Sequence, residues 1–190
     1  MKIGVLALQG AFAEHEKVLE QLGAECIELR QARDLAEPYD ALVLPGGEST
    51  VHGKLLKELG MFDIMKSQIE NGMPVLATCA GAILLAETID GQMKGQPEQY
   101  FGTIPMCIKR NAYGRQLGSF HTEASVAGIG TVPMTFIRAP YIASVGSGVE
   151  VLAVVEERIV GVKYKNQMAF SFHPELDPDV RIHKAFLEMI

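Results

Sequence analysis

The segment with the most chemistry in it is Pro74-Val75-Leu76-Ala77-Thr78-Cys79-Ala80-Gly81. A short apolar run leads into a cysteine, then small residues, then an apolar stretch of helical composition. That is the pattern of a nucleophile elbow, a sharp strand-to-helix turn that presents a side chain while small neighbours let backbone segments approach. A helix start carries partial positive charge, which favours a thiolate, the nucleophilic form of cysteine. The N–H of Ala80 would then face a developing oxyanion. The competing assignment is a buried structural cysteine, a common place for a free thiol.

A thiol nucleophile needs a base. Phe170-Ser171-Phe172-His173-Pro174-Glu175-Leu176 supplies an apolar strand ending in a histidine, with a carboxylate two residues on. His173 can take a proton from Cys79 and return it to a leaving group, while Glu175 orients and stabilises the imidazolium. Pro174, with fixed φ, stiffens the turn between them. Taken alone, this segment also reads as a solvated strand end. His15, His52 and His183 fall in helical stretches among polar neighbours and are expected at the surface. His121 lies between Phe120 and Thr122 on an expected strand, and nothing in the sequence ties it to Cys79.

A third segment, Leu44-Pro45-Gly46-Gly47-Glu48-Ser49-Thr50, places two glycines between an apolar strand and a helix. Such a turn exposes N–H groups suited to an anion or oxyanion. It reads equally as an ordinary strand-to-helix turn with Ser49 as the cap. No Gly-Lys-Ser/Thr follows, so it is not a phosphate loop.

The elements that must position these residues alternate. Strands are expected at Ile3 to Leu8, Cys26 to Leu29, Ala41 to Leu44 and Val75 to Ala77. Helices are expected at Ala13 to Leu22, Ser49 to Leu59, Met61 to Glu70 and Ala80 to Thr88. Unbroken apolar strands between amphipathic helices indicate an α/β fold with a mainly parallel sheet. The second half changes to short strands at Ile104 to Lys109, Ser119 to Glu123 and Met134 to Ile137. A hairpin follows at Val151 to Val155 and Ile159 to Tyr164, then a strand at Met168 to Phe172 and a closing helix from Val180 to Met189. No repeat, low-complexity tract or linker divides the chain, so residues 1–190 are read as a single domain.

Bulk properties narrow the function. The 190 residues are 48% hydrophobic with net charge -6, enough for one buried core, and carry no basic patch for nucleic acid. No apolar run is long enough to span a membrane, and the N-terminus reads as a strand, not a signal peptide. Three widely spaced cysteines fit neither a disulfide framework nor a zinc site. A reducing cytoplasm suits them.

Together the motifs resemble the class I glutamine amidotransferases, and within them the branch serving pyridoxal phosphate (vitamin B6) synthesis. The resemblance spans nearly the whole chain. It rests on Leu8-Gln9-Gly10 with Glu14-His15, Pro45-Gly46-Gly47-Glu48-Ser49-Thr50, Thr78-Cys79-Ala80-Gly81 and Ser171-Phe172-His173-Pro174-Glu175-Leu176. Arg110-Asn111-Ala112-Tyr113-Gly114-Arg115-Gln116 and Phe136-Ile137-Arg138-Ala139-Pro140 point to the vitamin branch.

The resemblance implies a three-layer α/β fold with antiparallel edge strands and a triad of Cys79, His173 and Glu175. It implies glutamine contacts at Gly46, Gly47, Glu48, Arg110, Ile137 and Arg138, and oxyanion donors on the backbone of Gly47 and Ala80. Arg110 or Arg138 is suited to a bidentate pair with the substrate α-carboxylate, though either is also acceptable as a solvated strand-end charge. Neither metal nor cofactor is implied. Ammonia is expected to pass through a channel to a barrel-shaped pyridoxal phosphate synthase subunit in a hetero-oligomer. A glutaminase for another synthase and a redox sensor built on Cys79 are the alternatives. Two departures from the family pattern stand out: Ala77 where Gly is usual, and Asp177 where Thr is frequent, the latter expected to alter a helix cap.

Overall fold

The computed structural model describes residues 1–91, 100–110 and 119–190. The Asn111 to Gln116 part of the arginine-rich motif lies outside these residues.

In the first half, β1 (Lys2–Leu6), α1 (Phe12–Gln21), β2 (Glu25–Leu29), β3 (Ala41–Leu44), α2 (Ser49–Glu58), α3 (Phe62–Glu70), β4 (Val75–Thr78) and α4 (Ala80–Leu85) follow one another. After them come β5 (Ala86–Ile89), β6 (Ile104–Lys109), β7 (Ser119–Val126), β8 (Gly130–Ile137), β9 (Tyr141–Val145), β10 (Glu150–Val155), β11 (Arg158–Tyr164), β12 (Gln167–Phe170) and α5 (Arg181–Leu187). Short 3-10 turns occupy Ala32–Ala36 and Pro174–Leu176.

The strands form one 12-stranded sheet with main order β2-β1-β3-β4-β12-β11-β10-β7-β8. From β2 to β12 every pairing is parallel. From β12 onward, through β11, β10, β7 and β8, every pairing is antiparallel. A second arm, β5-β6-β9, joins through β9 to β11. The α/β fold with a parallel centre and antiparallel strands outside it therefore stands.

Period-two alternation divides the strands between two cores. Leu42, Leu44, Val75 and Ala77 join Leu56, Met65 and Leu84 of α2, α3 and α4 on one face. Ile3, Val5, Val43 and Leu76 join Leu19 of α1 and Phe186 of α5 on the other. Both faces of β1, β3 and β4 are thus covered, which is why these strands read as continuous apolar runs.

The expected helix Ala80 to Thr88 is a correction. It ends at Leu85, where Ala86 turns to an extended conformation with φ -70 and ψ 137. Ala86 then pairs with Ile104, and Thr88 with Cys107. Every residue of α4 is buried, so its apolar run has no amphipathic period to mark where helix gives way to strand.

Candidate active site

Parallel strands point their carboxyl ends the same way, and β3, β4 and β12 deliver their following turns to one place. Thr78 pairs with Phe170, and Leu44 with Ala77. The residues just beyond these pairs are Pro45-Gly46-Gly47, Cys79 and Ser171-Phe172-His173. Crevices beyond the carboxyl ends of strands are the usual site location in such sheets.

Cys79 has φ 48 and ψ -104, a conformation unfavourable for a residue with a Cβ. It is held there from both sides. Its N–H donates to Phe170 O at 2.8 Å, and its carbonyl accepts from Ile83 N at 3.3 Å. Gly81 lies so near β3 that a Cβ on it would collide with the Leu44 carbonyl. Ala77 is fully buried opposite Leu44 and Ala169, and its methyl is accommodated within the core.

Beyond β12, His173 N donates to Thr135 O on β8 at 2.8 Å. The carboxylate of Asp177 accepts from Thr135 N at 3.1 Å and from Thr135 Oγ1 at 3.0 Å. Asp177 stands at the C-terminal cap of the short turn Pro174–Leu176, and its carboxylate is spent on pinning that turn to β8. Within the turn, His173 Nδ1 lies 2.7 Å from Glu175 Oε1. An Nδ1–H donated to the carboxylate leaves Nε2 as the nitrogen that exchanges a proton with Cys79.

Gly46 packs against this pair, and a Cβ there would strike Cε1 of His173 and lie 3.4 Å from Cys79 Cβ. The cysteine thiol is 3.9 Å from Ile137 O. Burial is the largest influence on His173 and opposes its charge. Hydrogen bonds to Cys79 and Glu175, with their charges, outweigh it and push the imidazole up to about 10. Burial likewise opposes charge on Glu175, but the neighbouring imidazoles of His15 and His173 hold its carboxyl below the usual range.

Gly46, Gly47, Glu48, Cys79, Arg110, Ile137, Arg138 and His173 line one cleft of about 550 Å³. Ala80 and Glu175 lie buried beside it. Ser49 is not the cap of α2. Glu48 is, accepting from Thr50 N at 3.2 Å and Val51 N at 2.8 Å. These bonds hold its carboxyl below the ordinary value despite burial. Gln9 Nε2 donates to Glu48 O at 2.8 Å and ties the turn to the loop after β1. Arg110 Nη1 donates to Thr50 Oγ1 at 3.0 Å, within the same cleft. Arg138, at φ 44, follows β8 into the cleft wall.

The helical histidines are the main correction. His15, His52 and His183 are all fully buried. His52 Nε2 sits 3.2 Å from Gln9 O. His15 Nε2 lies 3.0 Å from Thr78 Oγ1 and 3.3 Å from Glu175 Oε2, and His15 Nδ1 lies 2.9 Å from His183 Nε2. Polar sequence neighbours hid this, because α1 and α5 turn their histidines inward onto the sheet while those neighbours face out. His121 remains exposed, 3.1 Å from Thr135 Oγ1.

The model of the SNO glutamine amidotransferase family matches residues 5–190. The chain is 60% identical over 190 residues to the pyridoxal 5'-phosphate synthase subunit PdxT of Desulfitobacterium hafniense (strain Y51), covering 100% of this chain and 94% of that one. It is 55% identical over 192 residues to the same subunit of Streptococcus pneumoniae (strain D39 / NCTC 7466), covering 100% and 97%. A solved glutamine amidotransferase superposes with TM-score 0.92 at 44% identity, covering 98% of this chain and 97% of that one. The Thermotoga maritima PurLQS structure shares the fold, with TM-score 0.73 at 15% identity over 98% and 97% of the two chains. On its sequence over nearly its full length, this chain is a member of the SNO glutamine amidotransferase family.

Proposed function

We propose that the chain hydrolyses L-glutamine to L-glutamate and ammonia, and delivers the ammonia to a partner that makes pyridoxal 5'-phosphate. The observation that carries the reading is the convergence of Cys79, His173 and Glu175 at one cleft in a glutamine amidotransferase. The name of the relatives, a synthase subunit, supports the choice of product.

The Cys79 thiolate attacks the side-chain carbonyl carbon of glutamine. Backbone N–H groups of Gly47 and Ala80 take the oxyanion. The His173 imidazolium gives its Nε2 proton to the amide nitrogen, the C–N bond breaks and ammonia leaves. His173, now neutral, removes a proton from water, which attacks the thioester. The sulfur departs as thiolate with glutamate released. Gly46, Glu48, Arg110, Ile137 and Arg138 hold the amino-acid end of the substrate. The chain works as one domain in the cytoplasm, docked on a barrel-shaped synthase subunit. Among the described residues no helix is long and apolar enough to cross a membrane.

The test is steady-state glutamate release by the purified chain, alone and with the synthase subunit. The free chain is expected to be a poor glutaminase and the complex a good one. Gly47, at φ 146, occupies a conformation open to glycine alone, so its peptide can reorient when a partner docks. One correctly aimed oxyanion donor is worth roughly 10²–10³ in turnover, enough for a switch. Equal rates with and without the partner sink the regulatory part, and no glutamate in either case sinks the activity.

A further inference from the structure

Behind Glu175, on the side away from the cleft, two buried histidines stand in line. His15, on α1, reaches the second carboxylate oxygen, Oε2, at 3.3 Å, and Thr78 Oγ1 at 3.0 Å, both through Nε2. His183, on α5, meets His15 Nδ1 through its own Nε2 at 2.9 Å. Neither Glu175 Oε2 nor His183 Nδ1 has a hydrogen-bond partner among the described residues, the 3.3 Å approach of His15 Nε2 to Oε2 being a close polar contact outside hydrogen-bond geometry.

The tautomers follow from this pattern. A bare Nε2 on His15 would aim its lone pair at a carboxylate oxygen, which repels it. Nε2 therefore carries the hydrogen, which bonds to Thr78 Oγ1 and lies beside Glu175 Oε2. A neutral His15 then accepts at Nδ1, so His183 donates from Nε2. His183 Nδ1 is left bare, consistent with its lack of any acceptor, since a buried N–H without a partner is costly. Burial, first among the influences on both rings, keeps them neutral: His15 is lowered and His183 falls to about 3. The His15–Glu175 contact is accordingly the close approach of a neutral ring's N–H to a carboxylate oxygen, not an ion pair.

We propose that His15 is a positioning residue for the reaction: its Nε2–H fixes the rotation of the Glu175 carboxylate and keeps it anionic, and His183 sets the tautomer in which His15 can do so. This inference rests on the reading of Cys79, His173 and Glu175 as a triad. Without the donor, Glu175 is free to rotate or take up a proton, and the His173 imidazolium loses support. The thiolate that this imidazolium stabilises is then less populated at low pH. At high pH a thiol ionises unaided, so the defect disappears there. The groups facing His173 are Cys79 and Glu175, with Glu48, Arg110 and Arg138 in the cleft and His15 behind. His15 in turn faces Glu175, His173, His183 and Glu14.

The experiment is alkylation of Cys79 by iodoacetamide on the full chain, at about pH 6 and about pH 9.5. A His15→Leu chain is expected to react about tenfold more slowly than wild type at the lower pH, equivalent to one unit in the ionisation of the pair, and within twofold at the higher. His15→Gln, whose amide NH₂ reaches the place of Nε2, is expected to recover most of the rate. If His15→Leu does not fold, His183→Leu gives the same pH-dependent loss in smaller measure. Equal slowing at both pH values would reveal a packing role only and overturn the proposal, as would no slowing at either. His173→Ala is the control. If that chain reacts like wild type at both pH values, the triad reading itself fails. If it slows while His15→Leu does not, only the present inference fails.

Discussion

Glu175 has histidine on both sides, and the two sides differ. On the cleft side His173 sits 2.7 Å from Oε1, beside a thiol, with its imidazole pushed up to about 10. On the core side His15 and His183 are buried completely and held neutral, His183 down to about 3. One residue type serves as cation in one place and as neutral donor a few ångströms away. The difference comes from what surrounds each ring. His173 has a thiol and a carboxylate to stabilise its charge. His183 has burial as the largest influence against its charge, and another imidazole, His15, stands between it and that carboxylate.

The largest expected effects are on the cleft side. Cys79→Ala is expected to abolish glutamine hydrolysis in the complex while costing about 1 kcal/mol of stability, a typical value for one substitution. His173→Ala is expected to lower turnover by roughly 10⁶, as when a serine protease loses its base. Glutamate release and urea unfolding on the same preparations check both. Retained turnover in either variant breaks the assignment of the cleft side as the reactive one.

Glu175→Gln probes both sides at once. Its expected loss in turnover is smaller, roughly 10⁴, because an amide oxygen still accepts from His173 Nδ1 while the charge is gone. The amide NH₂ must then face His15. The His15 hydrogen has to move to Nδ1, which displaces that of His183 to a ring nitrogen with no partner. A buried donor left unsatisfied costs about 1–3 kcal/mol. Urea unfolding is therefore expected to show Glu175→Gln destabilised by that amount. A change below about 0.5 kcal/mol, the level of ordinary surface substitutions, would mean the tautomer chain is not fixed.

The same contrast explains what the sequence discloses. Cys79 and His173 are legible because each ends an apolar strand and is followed by residues that make a turn. The parallel strands β1, β3 and β4 are legible because both their faces are covered, which leaves unbroken apolar runs. Strands β5 and β9 are not. Ala86–Ile89 continues an apolar run that suits helix equally, and Tyr141–Val145 is short and only partly buried. The core-side histidines are hidden for a different reason. Each sits among charged neighbours on an amphipathic helix, and only helix phase decides whether it faces in. At a spacing of four from Ala11 and three from Val18, His15 falls near the inward side of α1, on which Val18 and Leu19 are buried. That phase is the local physical signal that His15 faces in. The contact with Glu175, distant in the chain, has no local signature.

The smallest effect is also the most discriminating, because the two sides should respond to pH with opposite sign. His173 is raised in the folded chain. Its contribution to stability is complete below the unfolded value of about 6.5 and is lost as pH rises toward about 10. His183 is lowered. The unfolded ring takes up a proton below about 6.5, whereas the folded ring does not until about 3, so its contribution is complete above 6.5 and drains away as pH falls toward 3. His15 acts in the same direction as His183. Glu175 is lowered too, but its unfolded value lies near 4.3, so its share is lost only further into acid. Between about pH 6.5 and 5 the acid slope therefore belongs to the buried, lowered histidines, the core-side pair together with His52. Replacing His183 with Leu is expected to flatten Tm against pH in that window and leave the alkaline side as it was. Replacing His173 with Ala should flatten the alkaline side alone. For a chain of this size each kcal/mol corresponds to about 2–4 °C in Tm, within reach of calorimetry. If His183→Leu leaves the acid slope unchanged, the core-side rings are charged in the folded protein, and the distinction between the two sides of Glu175 collapses.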